Sequence, residues 1–233
     1  MTAASENKVT RRTLGKIPAL ILHFIIFYVF WACWAIWIRP ALKSACGDTL
    51  LTESLFQAFK VLVWVVPALL LVKRYEPEMF VGLRQMFTNK VPLKWLLLWT
   101  LLFTALADGR TIVDGIAGGT LHIDPDFLSK SSVYLIVVGI TEEAVFRGWM
   151  LNATAKDVTD WKAILLNAVL FLSIHFPGWY HKGTLVSAFT GFGFLGVILF
   201  SVAVSICFLK HKNLLLPVFL HMLYDFVIDI MAA

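Results

Sequence analysis

The segment 17–38 is apolar almost without interruption, and comparable segments recur at 53–72, 92–107, 131–154, 160–176, 184–208 and 214–232. An α-helix crosses the hydrocarbon core of a bilayer in about 20 residues. Lipid offers the backbone no water to bond, so each segment must satisfy its own N–H and C=O groups as a helix. The chain therefore reads as an all-α, polytopic bundle of about seven transmembrane helices, a single integral membrane domain over 1–233. Segment 108–130, with Gly109, Gly115, Gly118, Gly119 and Pro125, leaves room for an eighth, re-entrant segment. Composition agrees. Of the 233 residues 59% are hydrophobic and 15% charged, and the mean hydropathy is +0.80. A soluble domain carries roughly 45–50% apolar and about 25% charged residues. No core of this size hides so much apolar side chain from water, so the expected solvent is the lipid bilayer.

Lys8, Arg11, Arg12 and Lys16 precede the first span. A signal peptide begins in the same way, but its apolar core runs only about 7–15 residues. Leu42, Lys43, Ser44 and Ala45, before Cys46, make a poor cleavage site, so the first span is read as uncleaved. Basic residues then recur on alternate loops. Lys73, Arg74, Arg84, Lys90 and Lys94 follow span two, Lys156 and Lys162 follow span four, and Lys210 and Lys212 follow span six. Loop 108–130 is acidic instead, with Asp108, Asp114, Asp124 and Asp126 against Arg110 and Lys130. The positive-inside rule then predicts a multi-pass protein of the cell membrane with a cytoplasmic N-terminus and its C-terminus outside. Topological charge accounts for the net +5, so no nucleic-acid partner is expected.

Other features carry less. Cys33, Cys46 and Cys207 have no CxxC spacing and are read as packing residues. Trp31, Trp34, Trp37, Trp95 and Trp99 fit interfacial belts or packing. Gly191, Gly193 and Gly196 match the dinucleotide GxGxxG pattern, but within an apolar span and with no preceding strand. Close helix packing by small residues is the reading there.

Ionisable groups inside membrane spans are costly and usually functional. Span four carries Thr141, Glu142, Glu143 and Arg147. Glu143 and Arg147 are one turn apart and can pair, which removes much of the cost of burying both. Glu142 sits about 100° around the helix and is left for other work. Span five carries Phe171 and His175 on one face, followed by Pro177 and Gly178, which are expected to break the helix and open space beside the imidazole. Span seven carries His221 and Asp225 one turn apart, with Asp229 a turn further on. A carboxylate so placed can orient the ring. If these spans converge they form a polar pocket with the parts for hydrolysis: a general base, a proton shuttle and polar groups facing a developing oxyanion. Ser173 and Thr141 lie in no recognisable nucleophile elbow or dyad, so an activated water is the simpler nucleophile. On these spans Glu142 lies near mid-membrane and His175 nearer the outer face, so convergence requires span five to be displaced or to bend inward at Pro177.

At these residues the sequence resembles the CAAX protease and bacteriocin-processing (CPBP, or Abi) family of intramembrane proteases, which includes the CAAX prenyl endopeptidase. The resemblance rests on Glu142-Glu143-x-x-x-Arg147, Phe171-x-x-x-His175 and His221-x-x-x-Asp225, in order, on successive apolar spans, within a catalytic core at 131–230. It implies a glutamate-dependent, metal-independent endopeptidase without a cofactor. Glu142 would activate water and His175 would share the proton. Glu143 and Arg147 would position Glu142 and the substrate, and His221 and residue 225 would stabilise the oxyanion. The family's CAAX enzymes have asparagine where this chain has Asp225. An ionised aspartate would repel an oxyanion, so Asp225 must be protonated or must act by orienting His221.

The expected substrate is a membrane-associated peptide or protein segment, such as a leader peptide or a lipid-anchored tail. The compact chain favours peptide maturation or bacteriocin immunity over CAAX processing. Other classes remain open. Two histidines and two carboxylates can bind zinc, giving a zinc-dependent intramembrane protease, although no HExxH helix is present. A non-enzymatic membrane immunity or scaffold protein would keep the cluster for structure. Proton-coupled transport also uses buried Glu and His, but the halves show no inverted repeat. The oligomeric state is not legible.

Overall fold

The structure, a computed structural model, describes residues 14–118 and 135–232, and among them every regular element is helical. Helix α1 spans Lys16–Cys46 and α2 spans Leu50–Arg74. A short helix, α3 (Leu83–Thr88), leads into α4 (Leu93–Gly118). Helix α5 covers residues 135–154. Then come α6 (Asp160–Ser173), α7 (His175–His181), α8 (Leu185–Thr190), α9 (Gly193–His211) and α10 (Leu215–Ala232).

Four stretches are long and apolar enough to cross a membrane: Lys16–Cys46, Leu50–Arg74, Asp160–His181 and Gly193–His211. Leu93–Ala107 and Leu215–Ile228 are shorter apolar helices. Helix α5 adds roughly 30 Å of rise but turns polar side chains inward. The outside of the bundle is apolar. Ile21, Ile25 and Ile26 on α1, Leu55 and Leu62 on α2, and Leu97 and Leu101 on α4 are all exposed. Glu143 and Arg147 on α5 are fully buried. Polar inside and apolar outside is the distribution that a lipid solvent selects.

Helix α5 is the axis of the fold. It packs on α2 and α6, while α10 lies along α4 and α9 lies along α6. Trp64, Phe103, Phe146, Trp149, Phe171 and Phe208 fill the space between them. Gly139 allows α5 to touch α10 closely, because a Cβ there would stand 2.7 Å from Met222 Cγ and 3.1 Å from the Val218 carbonyl oxygen. That contact lies one turn before Glu142 and Glu143.

Several local expectations change. Helix α4 continues to Gly118, so the first part of segment 108–130 is helix. The remainder of that segment lies outside the described residues, as do Lys8, Arg11, Arg12 and the side chain of Asp229. Proline does not end span five. The interruption is at Ile174, and the helix resumes from His175 with Pro177 in its first turn, where a missing N–H costs little. The span expected at 184–208 is two helices. Gly191 closes α8, Phe192 adopts a left-handed φ of 61°, and Gly193 opens α9. The GxGxxG pattern therefore straddles a turn; an added Cβ at Gly193 would stand 3.5 Å from the Ala188 carbonyl oxygen of α8, and one at Gly196 would stand 4.0 Å from Tyr224 Oη of α10. Of the three cysteines read as packing residues, Cys207 is buried but Cys46 is exposed.

Candidate active site

Helix α5 does not keep α-geometry through its polar stretch. Ala144–Leu151 winds as a wider π-type turn, a feature that often marks functional sites. The pairing of Glu143 with Arg147 survives this widening: Arg147 Nη1 donates to Glu143 Oε1 at 2.9 Å. Arg147 Nη2 also donates to Ser201 Oγ at 2.8 Å and to the Ser201 carbonyl at 3.1 Å, which ties α5 to α9. The guanidinium stacks over Phe171, 4.5 Å from the ring centre. A fully buried arginine with three donor contacts and an aromatic face is fixed in place.

The same Glu143 Oε1 accepts from His221 Nδ1 at 2.7 Å. With Nδ1 committed as donor, His221 turns Nε2 toward two other carboxylates, Asp225 Oδ2 at 3.5 Å and Glu142 Oε2 at 3.9 Å. Phe200 at 4.7 Å and Phe171 at 6.0 Å both meet this ring edge-to-face and restrict its orientation.

His175 reaches the same place because of the interruption at Ile174. Two carbonyls at this interruption have side-chain partners. His175 Nδ1 donates to the Phe171 carbonyl at 3.1 Å. Trp31 Nε1 on α1 donates to the Ile174 carbonyl at 2.8 Å. Since a carbonyl only accepts, Nε2 is the His175 nitrogen left to exchange protons. Glu142, His175, His221 and Asp225 all line one cavity of about 260 Å³. The expected difference in depth between Glu142 and His175 is closed by this earlier bend.

Glu142 has a partner that sequence reasoning missed. Lys60 Nζ on α2 lies 3.3 Å from Glu142 Oε1, with both side chains largely buried. The ammonium also sits 4.3 Å from the Trp64 ring centre and 5.3 Å from that of Trp31. Its signal was present in the spacing. Glu53, Gln57 and Lys60 form the polar half of the buried face of α2, and Trp64, Ala68 and Val72 form the apolar half. Trp31, read as belt or packing, lines this site together with Lys60 and Glu142.

That second cavity, about 420 Å³, meets the first at Glu142 and is bounded by Trp34, Arg39, Phe56, Gly178 and Lys182 among others. Thr141 is buried and its hydroxyl donates to the Val138 carbonyl at 3.1 Å. Ser173 is likewise occupied with the Leu170 carbonyl at 2.7 Å. Neither hydroxyl is set beside a base. Among the described residues, no three His, Cys, Asp or Glu side chains are grouped to hold a metal ion.

A lipid-facing bundle closed around carboxylates, imidazoles and buried cations defines an integral membrane protein with an internal polar site. Residues 124–227 match the family model of the type II CAAX prenyl endopeptidase Rce1-like proteins. The likeness is to a family of proteases, and it supports a protease in general. No curated protein and no solved structure matches the chain. Glu142, Glu143, Arg147, His175, His221 and Asp225 fall inside the matched residues, whereas Trp31 and Lys60 fall outside them.

Proposed function

We propose that the protein is an intramembrane endopeptidase that hydrolyses peptide bonds of membrane-associated peptides or proteins with water activated by Glu142. The observation that carries this reading is the contrast between neighbouring glutamates. Glu142 faces both cavities, while Glu143 is 0% exposed and bonded to Arg147 and His221.

In this mechanism Glu142 takes a proton from a cavity water as the oxygen attacks the scissile carbonyl carbon. The carbonyl oxygen becomes an oxyanion. As the C–N bond breaks, the proton passes to the departing amine, with His175 Nε2 able to share it. Glu143 and Arg147 hold His221, whose Nε2 faces the reacting region. Asp225, 3.5 Å from that nitrogen, orients the ring and is not itself required to face the oxyanion. Peptide maturation or immunity to a secreted peptide is the setting that suits such an enzyme.

The decisive comparison is wild type against Glu142→Gln, each assayed on candidate membrane peptides with and without EDTA. The expected result is cleavage that resists EDTA and falls to background in Glu142→Gln. General-base catalysis contributes about 10²–10⁴-fold, and the amide keeps the shape while losing the base. Loss with EDTA and recovery with zinc would recast the same residues as ligands. A natural phenotype that persists in Glu142→Gln would mean that the protein acts by binding.

A further inference from the structure

The two ends of the bundle carry different charge, and the two cavities that meet at Glu142 lie toward only one of them. At the first end lie the start of α1, the α2–α4 connection, the α5–α6 loop and the α9–α10 turn. They are bonded into one layer. Lys16 Nζ lies 2.7 Å from Asp157 Oδ2 and donates to the Glu78 carbonyl at 2.9 Å. Asn89 Nδ2 donates to the Lys212 carbonyl at 2.8 Å, and Leu214 N to the Met86 carbonyl at 2.7 Å. These segments hold Lys16, Lys73, Arg74, Arg84, Lys90, Lys94, Lys156, Lys162, Lys210 and Lys212 against Glu76, Glu78, Asp157 and Asp160.

The opposite end holds the end of α1, the start of α2 and the end of α7. Here Arg39 and Lys43 are both matched by Glu53, at 3.1 and 3.6 Å, and Lys43 also by Asp48 at 2.8 Å. Basic residues beside spans stay in the cytoplasm. The first end is the cytoplasmic one on that rule.

The larger cavity runs from Glu142 and Lys60 past Trp31 and Trp34 to Arg39 and Lys43 on α1 and Lys182 after α7. About 15 Å of helix rise separates Lys60 from the Leu50 end of α2. Trp31 stands at the middle of α1, and the other positions lie in the half of the bundle remote from the basic layer.

We propose that the site opens, through this cavity between α1, α2 and α7, to the non-cytoplasmic face of the membrane. Its substrates are then peptide segments already carried across the bilayer or anchored from that side, not cytoplasmic tails. The substrate half of this inference rests on the peptidase reading above; the access half does not.

The chain supplies a reporter for the test, since Cys46 is exposed at the remote end of α1. In full-length protein carrying Cys33→Ala and Cys207→Ala, an impermeant maleimide added to intact cells is expected to label Cys46 as fully as it does after lysis. In a background without the native cysteines, Ala35→Cys places a thiol on the cavity wall and Lys90→Cys places one in the basic layer. A small impermeant thiosulfonate applied outside should modify the first and spare the second until the membrane is permeabilised. The reverse pattern overturns the proposal, and so does a thiol introduced by Ala35→Cys that reacts from neither side. None of these readouts needs peptide cleavage, so their failure is distinct from failure of Glu142→Gln to abolish activity.

Discussion

At the scale of residues, the site is a set of charges that hold one another in place. Removing either member of the Lys60–Glu142 pair leaves the other buried beside an aromatic wall. Breaking a dry buried pair costs about 3–5 kcal/mol, and the adjoining cavity, which can admit water, should reduce that here. Lys60→Met is therefore expected to lower the stability of the detergent-solubilised protein by up to about 3 kcal/mol. The double variant Lys60→Met/Glu142→Gln should recover part of the loss, because no ion is then stranded. A double-mutant cycle in denaturant unfolding measures this, and additive effects of the two changes would show that the pair is not energetically coupled. Most residues of this network were legible in the sequence, because an Arg one turn from a Glu and a His one turn from an Asp share a helix face by geometry alone. Lys60 was not. It sits in a segment whose hydropathy dominates its reading, and its partner is 82 positions away.

At the scale of elements, irregularities in the helices place the chemistry. Two wide turns, Trp34–Ile38 in α1 and Ala144–Leu151 in α5, flank the space around Glu142 and Arg147. An interruption at Ile174 turns His175 inward. Apolar runs announce that a helix exists, but not how many residues complete each turn, so neither wide turn was visible beforehand. Pro177 did signal a disturbance in span five; its position was misread because proline is accepted in a first turn and the strain falls on the residues before it. Close contact between α5 and α10 is the second requirement, and it depends on Gly139. Gly139→Leu must drive the helices apart, since an added Cβ alone already overlaps Met222. Overpacking of this kind costs about 1–3 kcal/mol. It should also weaken the Glu143–His221 contact one turn away, so cleavage is expected to fall more than stability does. Unfolding and peptide-cleavage assays on the same preparation separate the two effects, and unchanged cleavage in a stably folded variant would show that the contact does not set the site.

At the scale of the whole molecule, the family-matched segment does not make the site alone. Residues 124–227 supply the carboxylates, imidazoles and arginine, but Trp31 on α1 and Lys60 on α2 close the space around them. The first helices therefore do more than anchor the protein. Trp31 bonds the carbonyl at the bend that positions His175, and α2 lays its polar stripe against the widened turn of α5. A chain divided after Gly118 tests this division of labour. Fragment 119–233 inserted by itself should leave Glu142 without Lys60 and the bend without Trp31, and should be inactive. Co-expression with fragment 1–118 should restore cleavage, because the contacts between the halves are buried side chains on complete helices and need no covalent link to form within the bilayer. The measurement is cleavage of one membrane peptide by each fragment and by the pair, with membrane levels matched. Activity of 119–233 alone would confine the machinery to the matched segment and reduce α1 and α2 to scaffolding. Activity of the pair, lost again when the 1–118 fragment carries both Trp31→Phe and Lys60→Met, would assign the contribution to those two side chains and not to the bulk of the helices.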